Sequence, residues 1–388
     1  MSQRSAIVVG AGIVGLAMAR ALAVRGYLVK VIERNDKAVG ASIRNFGMIW
    51  PIGQPGGGLY ERALLSRSIW KETCEGAGIW YDEVGSLHLA YHNDELDVLK
   101  ELAEIYKDRG YTLLTADDTL SRSGAVVKKE LLGSLYSPHE MIVDPREAIA
   151  MIPAWLAEKY QVRFIWGKAV TDICSPAVYM GNEVQEADEI YVCSGADFET
   201  LYPELYSSML ITKCKLQMMR MAAQPGDWRI GPALCGGLSL IHYNSFKEAY
   251  SLQSLKKRYK EEYADYLKWG IHVMVSQNQA GELTVGDSHE YGLTHNPFDR
   301  QFINRLILDY LSTFASFKNE QVTETWNGIY PKLTNGESHV IIEQSKGVTI
   351  VNGLGGAGMT LSFGLCEQLL AGREKKETVS NVSLGSSE

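Results

Sequence analysis

The feature that most constrains the fold of this chain is a glycine pattern close to its start. Gly10, Gly12 and Gly15 form G-x-G-x-x-G directly after the β-branched run AIVV, and they open the helix-like segment VGLAMARALAVRG. In such a unit the first glycine makes the turn, the second lets the backbone approach a pyrophosphate, and the third lets helix and strand pack closely. Because a second strand-like run, LVKVIE, follows, the chain is predicted to begin with a Rossmann-type nucleotide-binding unit.

An acidic residue at the end of that second run supports this interpretation. Glu33 stands where a carboxylate accepts hydrogen bonds from ribose hydroxyls and repels a 2′-phosphate. The start of the helix, at Ile13 and Val14, offers N–H groups and partial positive charge to phosphate oxygens. NAD and FAD satisfy these features equally well.

A second glycine-rich stretch at the far end of the chain distinguishes the two cofactors. Residues 351–364, VNGLGGAGMTLSFG, read as strand, glycine turn and helix, and GASIRNFGMI at 40–49 follows the second predicted strand closely. A dehydrogenase that binds only NAD does not need a second glycine-rich turn near the end of the chain. In flavoproteins a second helix N-terminus commonly points at the part of the flavin ring where negative charge accumulates. The pattern therefore favours FAD, although a flexible loop before a packed helix is the alternative.

Composition excludes several classes of function. The formal net charge of −8 and the lack of long Lys/Arg clusters argue against a nucleic-acid partner. The six cysteines show no C-x-x-C pair and no His/Cys ligand spacing, so we expect no disulfide framework and no metal site. No segment reads as a membrane span. A reduced, cytoplasmic location is expected.

The length of 388 residues favours two interleaved domains. Helices are predicted within 59–78, 94–110, 144–160, 247–268 and 298–315, and strands include VRFIW, EIYV, ITKCKLQMMRMA, LSLIHY, IHVMVSQ and ELTVG. The polar end of the chain is predicted to be a flexible tail over 376–388.

Six ordered motifs resemble the D-amino acid oxidase and glycine oxidase family of FAD-dependent oxidoreductases. They are VVGAGIVG with Glu33, GASIRNFGMI, EIYVCSGAD, LTVGDSHEYG, TWNGIYPKLTNGES and VNGLGGAGMT, and they span nearly the whole chain. The resemblance implies an α/β fold, α+β overall, in which a Rossmann-type FAD-binding domain in discontinuous segments accompanies a mixed, antiparallel-rich substrate domain. The implied FAD-binding segments are 1–80, 140–211 and 326–375, and the implied substrate segments are 81–139 and 212–325.

The resemblance also implies a set of FAD-binding residues. They are Gly10, Gly12, Ile13, Val14, Gly15, Glu33, Arg34, Ser42, Arg44, Asn45, Phe46, Gly47, Met48, Val170, Cys193, Ser194, Gly195, Gly328, Gly353, Gly355, Gly356, Ala357, Gly358, Met359 and Thr360.

The chain departs from the family pattern at one informative position. Members that act on α-amino acids generally carry Trp-x-Gly-x-Arg-Pro, in which the arginine binds the substrate carboxylate through two parallel hydrogen bonds. Here the motif reads Trp326-Asn327-Gly328-Ile329-Tyr330-Pro331. A simple D-amino acid or glycine is therefore a doubtful substrate. The tyrosine resembles a branch of the family proposed to oxidise aminophosphonates such as 2-aminoethylphosphonate and its N-methyl or hydroxy derivatives.

A phosphonate is tetrahedral, so single donors can replace one planar guanidinium. The candidate donors are Tyr330, Lys332, Arg44, His242 and Tyr243, and His289 is a candidate contact of substrate or flavin. Four of them have a plainer alternative: Tyr330 as a packed aromatic residue, Lys332 as a solvent-exposed side chain, and His242 and His289 as structural histidines.

The expected reaction is hydride transfer from a small neutral amine to FAD, followed by hydrolysis of the imine to an aldehyde. The expected partners are the amine and an electron acceptor, either O2 or a quinone or dye-type compound, with a homo-oligomer as an open possibility. Alternatives are a glycine or D-amino acid oxidase or dehydrogenase, a flavin-dependent 2-hydroxy acid dehydrogenase, and a flavin-binding module without catalysis.

Overall fold

A computed structural model describes residues 3–384 of the chain. Its α-helices are α1 Ile13–Ala23, α2 Gly58–Ala77, α3 Asn93–Ile105, α4 Ala116–Arg122, α5 Pro145–Tyr160, α6 Pro203–Ser208, α7 Leu252–Glu262, α8 Ala264–Lys268, α9 Gln301–Phe314 and α10 Gly358–Leu384. Across residues 3–384, none of these helices combines the length and the apolar character needed to cross a membrane.

The strands of the amino-terminal part are β1 Ser5–Val9, β2 Leu28–Ile32, β3 Met48–Ile49, β4 Tyr81–Asp82, β5 Ser86–Ala90, β6 Thr112–Thr115, β7 Gly133–Ser137, β8 Met141–Val143, β9 Arg163–Ile165, β10 Asp172–Cys174, β11 Ala177–Met180, β12 Glu183–Glu186 and β13 Glu189–Val192. Those that follow are β14 Ile211–Met221, β15 Ala233–Cys235, β16 Met274–Gln277, β17 Leu283–Gly286, β18 Glu290–Gly292, β19 Val322–Leu333, β20 Val340–Ser345 and β21 Val348–Asn352.

One sheet brings the two ends of the chain together. Its strand order is β20-β21-β13-β1-β2-β9; the β20–β21 pair is antiparallel and the other pairs are parallel. Strands β1, β13 and β21 are almost continuously buried, as expected for parallel strands covered on both faces. One face packs on α1 and α10, and the other packs on β11 and α6. The predicted Rossmann-type α/β fold is confirmed.

A second, larger sheet has the order β18-β14-β17-β16-β15-β5-β7-β6, and β19 pairs with β14. Its pairs are antiparallel apart from β15–β5, which agrees with the predicted antiparallel-rich sheet. Strand β19 is antiparallel to β14 along its length, with Tyr330 opposite Cys214. The predicted boundary at residue 326 falls inside this strand, because the extended ladder that begins at Val322 continues to Leu333. The division into two domains stays a prediction.

Three predicted elements differ from the structure. The run LSLIHY is not a strand: residues Gly237–Ile241 form a 3-10 helix, since a short apolar run does not by itself distinguish a strand from a helix. The helical stretch 247–268 is divided between α7 and α8, which meet at Tyr263. The tail predicted over 376–388 continues α10 as far as Leu384, and the segment from 373 to 384 contains no glycine or proline; residues 385–388 lie outside the described residues.

Helix α5 begins as the sequence predicts, and Asp144, the residue that caps its N-terminus, provides a stability test. The Asp144 carboxylate accepts hydrogen bonds from the backbone N–H groups of Arg146, at 2.9 Å, and Glu147, at 3.4 Å, and from the Asn278 amide. Asp144→Ala is expected to lower the free energy of unfolding by about 0.5–2 kcal/mol, because helix N–H groups lose their acceptor. Denaturant titration followed by circular dichroism measures this change. Glu147→Ala, which removes the same charge from the same turn, is the control; equal losses in the two variants would contradict the capping role.

Candidate active site

The first glycine turn is packed so closely that side chains do not fit. Gly10 has φ +101°, and a Cβ there would lie 2.5 Å from the Cys193 carbonyl oxygen. A Cβ on Gly15 would lie 1.9 Å from the Gly10 carbonyl oxygen, far inside contact distance. At Gly12 an added Cβ would meet Ser42 Oγ at 3.1 Å. The close approach of α1 to the β1 turn therefore requires the predicted glycines.

Two side chains hold this turn in place. Glu33 accepts a hydrogen bond at 2.9 Å from the Ala11 N–H, and Ser42 Oγ accepts one at 2.9 Å from the Ile13 N–H at the start of α1. Arg34, which is solvent exposed, forms an ion pair with Asp197 at 2.7 Å. Glu33 thus lies at the glycine turn, where the sequence predicts a ribose contact.

The second glycine turn lies next to the end of β19. Gly353 and Gly355 have φ of +75° and +59°, and Lys332 forms a β-bridge with Leu354. A Cβ on Gly356 would lie 3.6 Å from the Tyr330 hydroxyl. The substitution of tyrosine for the family arginine therefore stands beside the turn that leads into α10.

A cavity of about 860 Å³ connects the two turns. It is large enough for part of a dinucleotide cofactor together with a small substrate, since ligand cavities commonly measure about 300–1,000 Å³. Predicted residues that line it are Ile13, Val14, Ser42, Arg44, Asn45, Phe46, Met48, Gly195, Gly328, Gly353, Gly355, Gly356, Ala357, Gly358, Met359, Thr360, Tyr330, Lys332, His242, Tyr243 and His289. Their roles stay predictions, but the structure brings them together around one space.

Other predicted FAD-binding residues do not line the cavity. These are Gly10, Gly12, Gly15, Glu33, Arg34, Gly47, Val170, Cys193 and Ser194. Several have clear structural roles: the Val170 side chain is packed in the core, and a Cβ on Gly47 would lie 1.9 Å from the Val143 carbonyl oxygen. Ser194 Oγ lies 3.3 Å from the Tyr206 hydroxyl.

Tyr330 is buried, with 7% of its surface exposed. Burial raises the pKa of its hydroxyl well above the ordinary value, and the neighbouring Cys214 and Asp287 act in the same direction. The ring meets His289 edge to face at a centroid distance of 6.5 Å. Tyr330 therefore presents a neutral phenol to the cavity, which can donate one hydrogen bond.

Lys332 and Arg44 are the lysine and arginine side chains that line the cavity within the described chain. Desolvation beside the cavity lowers the pKa of Lys332, although by surface area this residue is solvent exposed, as the plainer alternative expects. The Arg44 guanidinium donates a hydrogen bond to the Asn327 carbonyl oxygen at 3.0 Å, so one of its donors is already used. The family arginine would stand on β19 at the position of Tyr330. Neither Lys332 nor Arg44 takes that position.

Three histidines from separate segments meet in the same cavity: His242, His272 and His289. Asp287 lies beside them, with Oδ1 at 3.1 Å from His272 Nε2 and Oδ2 at 3.8 Å from His289 Nε2. Burial lowers the pKa of all three imidazoles, that of His289 to about 4, and raises the pKa of Asp287 well above its ordinary value.

Sequence reasoning missed His272 and Asp287. His272 belongs to the apolar run IHVMVSQ, and Asp287 follows the strand LTVG, so both were hidden in segments interpreted as sheet. The backbone brings them together, because each donates its N–H to the carbonyl oxygen of the other, at 3.2 and 2.8 Å. The one available signal was the composition of LTVGDSHEYG, where an acidic residue and a histidine interrupt an apolar strand.

The residues present fit an FAD. The first glycine turn excludes side chains, and the starts of α1 and α10 line the cavity through Ile13, Val14 and Gly358. Helix N-termini bind phosphate groups and stabilise negative charge on a reduced flavin. Ile13, Val14, Ser42 and the turn around Gly356 would hold the cofactor.

Comparisons with known proteins agree with this fit. The DAO family model, described as FAD dependent oxidoreductase, matches residues 5–372. No curated protein matches the sequence. Among solved structures, glycine oxidase from Geobacillus kaustophilus has 19% identity and a TM-score of 0.75, covering 96% of this chain and 94% of that one.

Two further solved structures share the fold. Iminodiacetate oxidase from Chelativorans sp. BNC1 has 20% identity and a TM-score of 0.70, with 95% of this chain and 94% of that chain covered. L-alpha-glycerophosphate oxidase from Mycoplasma pneumoniae, solved with FAD bound, has 18% identity and a TM-score of 0.71, with the same coverage. At these identities the likeness establishes the fold.

The Gly15 contact gives a test of the cofactor site. Gly15→Ala is expected to reduce the flavin content of the purified protein at least about tenfold, because its Cβ forces the turn apart and moves the backbone that approaches the pyrophosphate. Visible absorbance per polypeptide measures the content, and far-UV circular dichroism monitors folding. Gly40→Ala is the control, since a Cβ there meets nothing within 4 Å and φ is −79°. A folded Gly15→Ala protein with full flavin content would contradict the assignment.

Proposed function

Since the chain belongs to the DAO family of FAD-dependent oxidoreductases, we propose that it oxidises the C–N bond of a small amine, with an aminophosphonate as the substrate class. Such substrates include 2-aminoethylphosphonate and its N-methyl or hydroxy derivatives. The observation that carries the proposal is Tyr330, which takes the place of the carboxylate-binding arginine and borders the cavity beside the glycine turn of α10.

The donors around Tyr330 suit a tetrahedral anion better than a planar carboxylate. A carboxylate is bound most strongly by a guanidinium that donates two parallel hydrogen bonds. Here Tyr330 offers one O–H and Lys332 one ammonium group from alternate positions of β19, and Arg44 adds guanidinium N–H groups from a separate segment. Donors spread in this way match the three oxygens of a phosphonate.

The cavity also separates the histidines and Asp287 from the first glycine turn. His272, His289 and Asp287 belong to the large sheet and the loops beside it, whereas Ile13 and Ser42 lie at the first glycine turn. Residues of the second glycine turn lie between these two groups, because Gly356 is next to Tyr330 and Gly358 is next to Ile13. A small amine held by its anionic end would thus have its amine carbon directed toward the second turn.

FAD, when bound, would supply the acceptor for the hydride that leaves the carbon bearing the amine; the substrate would lose two electrons and become an iminium ion, which gives the imine when its proton leaves. Water then converts the imine to an aldehyde and releases ammonia or methylamine. The chain positions the substrate and excludes bulk water, and such positioning supplies much of the rate acceleration. The phenol of Tyr330 and the imidazole of His289 stay uncharged beside the amine, which must lose its ammonium proton before it reacts.

The substrate proposal is tested by anaerobic reduction of the bound FAD. Addition of 2-aminoethylphosphonate or its N-methyl form is expected to decrease the visible flavin absorbance, whereas glycine and D-alanine act at least about tenfold more slowly, because they lack their guanidinium partner. Stopped-flow absorbance over a range of concentrations gives the rate and the apparent affinity. The matched comparison compounds are aminocarboxylates with two or three carbons. Their amine carries the same charge as the amine of the aminophosphonate. Rapid reduction by D-alanine with none by any aminophosphonate would refute the proposal.

Removal of the phenol is a second test. Tyr330→Phe is expected to raise KM for the aminophosphonate about tenfold, since a hydrogen bond to a charged group contributes about 1.5–3 kcal/mol. Steady-state kinetics of aldehyde formation measure it. Tyr250→Phe, at a position 87% exposed, is the control. Tyr330→Arg tests the same site in the opposite direction and is expected to improve kcat/KM for glycine. Unchanged kinetics in both Tyr330 variants would make this residue a packed aromatic only.

A further inference from the structure

The cluster of His242, His272 and His289 has the composition of a metal site. One ring nitrogen from each residue lies within 4.8 Å of the other two. Their ring centroids are separated by 3.8 Å for His242 and His272, 4.7 Å for His242 and His289, and 5.1 Å for His272 and His289. Three imidazoles with a nearby carboxylate suit zinc, iron or a similar divalent ion.

The hydrogen bond of His289 Nδ1 leaves the other ring nitrogen, Nε2, free to bind a metal ion. His289 Nδ1 lies 2.9 Å from the Gly270 carbonyl oxygen, which can only accept, so Nδ1 carries the hydrogen. His289 Nε2 is then unprotonated and faces the cluster. A backbone carbonyl that fixes the opposite nitrogen of a histidine in this way is the usual outer partner of a metal-binding imidazole.

His272 and Asp287 supply an independent observation. Both are buried, with 3% and 5% of their surfaces exposed. Within the described part of the chain, neither ring nitrogen of His272 has a hydrogen-bond partner, and neither has Asp287 Oδ1, although His272 Nε2 and Asp287 Oδ1 are 3.1 Å apart. The two groups are therefore close but not aligned for a hydrogen bond. Buried polar atoms without a partner are costly, and they are expected where a ligand satisfies them.

We propose that His242, His272 and His289, with Asp287 beside them, bind one divalent transition-metal ion at the wall of the cavity. Nitrogens bound to a tetrahedral ion at about 2.0–2.1 Å lie about 3.4 Å apart, so the rings close on the ion by about 1 Å or less each. Three protein ligands leave a coordination position open toward the cavity. Asp287 stays beside His272, with Oδ1 at 3.1 Å from Nε2, and leaves the fourth position open.

The open position gives the ion a role in substrate binding, and this step rests on the proposed function. A divalent ion next to Tyr330 would bind one oxygen of the substrate phosphonate and so take over the charge of the absent arginine. Three neutral imidazoles contribute no charge of their own, which leaves the ion's positive charge available to the anion. Lys332 and the Tyr330 hydroxyl would bind the remaining oxygens.

The experiment uses the FAD-loaded protein. The protein is treated with a chelator, dialysed, and titrated with Co²⁺, whose visible absorbance reports its ligands once the flavin spectrum is subtracted; elemental analysis gives the metal content of untreated protein. The expected result is one equivalent of metal per chain, and an at least about tenfold weaker affinity in His242→Ala and in His289→Ala. His295→Ala, outside the cluster, is the control, and flavin content verifies folding of every variant.

Two results would overturn the metal site: wild-type protein that binds no stoichiometric Co²⁺, or affinity that is unchanged in both cluster variants. Either result leaves the amine-oxidation proposal standing if aminophosphonate still reduces the flavin of metal-free protein. Conversely, a metal-loaded protein whose flavin is reduced by D-alanine but by no aminophosphonate would retain the metal site and lose the substrate. If the ion binds the phosphonate, chelation is expected to raise KM about tenfold or more with FAD content unchanged.

Discussion

The structure depends on the contact between helix α1 and the turn that follows β1. Gly15 lies against the Gly10 carbonyl oxygen and Gly10 lies against the Cys193 carbonyl oxygen, so backbone meets backbone where α1, the turn after β1 and the end of β13 come together. Side chains at these points would separate the helix from the sheet, and the N-terminus of α1 would no longer reach the cavity. Because β13 is also paired with β21, this contact fixes the strand that leads to the second glycine turn.

The second constraint is the path of β19 between the two sheets. This strand pairs with β14 over its length and then passes beside Leu354, so the large sheet presents Tyr330 and Lys332 directly to the glycine turn of α10. Alternate residues of a strand face the same side, which explains why Gly328, Tyr330 and Lys332 all line the cavity. Gly328 lets β19 pass close to the segment around Arg44, because a Cβ there would lie only 3.2 Å from the Arg44 carbonyl oxygen.

These features explain what could be predicted from the sequence. The glycine turns depend on local chemistry, since only glycine fits where backbone meets backbone at Gly10 and Gly15, and the positive φ of Gly353 favours glycine; all three were found from their sequence patterns. Tyr330 was found because its motif differs from the family at one residue. His272 and Asp287 were not found, because their neighbourhood arises from a backbone pair between two strand ends that are distant in sequence. His242 was placed on the wrong element, since a 3-10 helix and a strand share the apolar pattern of LSLIHY.

The histidine cluster leaves buried polar groups without partners directly at the cavity wall. In the large sheet some buried polar groups have partners, as when Ser276 Oγ donates to the Phe46 carbonyl oxygen at 2.8 Å and Gln277 accepts from the Ile230 N–H. Others have none, such as the ring nitrogens of His88, but His88 does not line the cavity. At His272 and Asp287 the same sheet leaves ring nitrogens and a carboxylate oxygen without partners. Replacing them with apolar residues would remove this cost without disturbing the backbone pair that joins them. At the wall of the cavity, such groups are the ones that a bound ligand can satisfy.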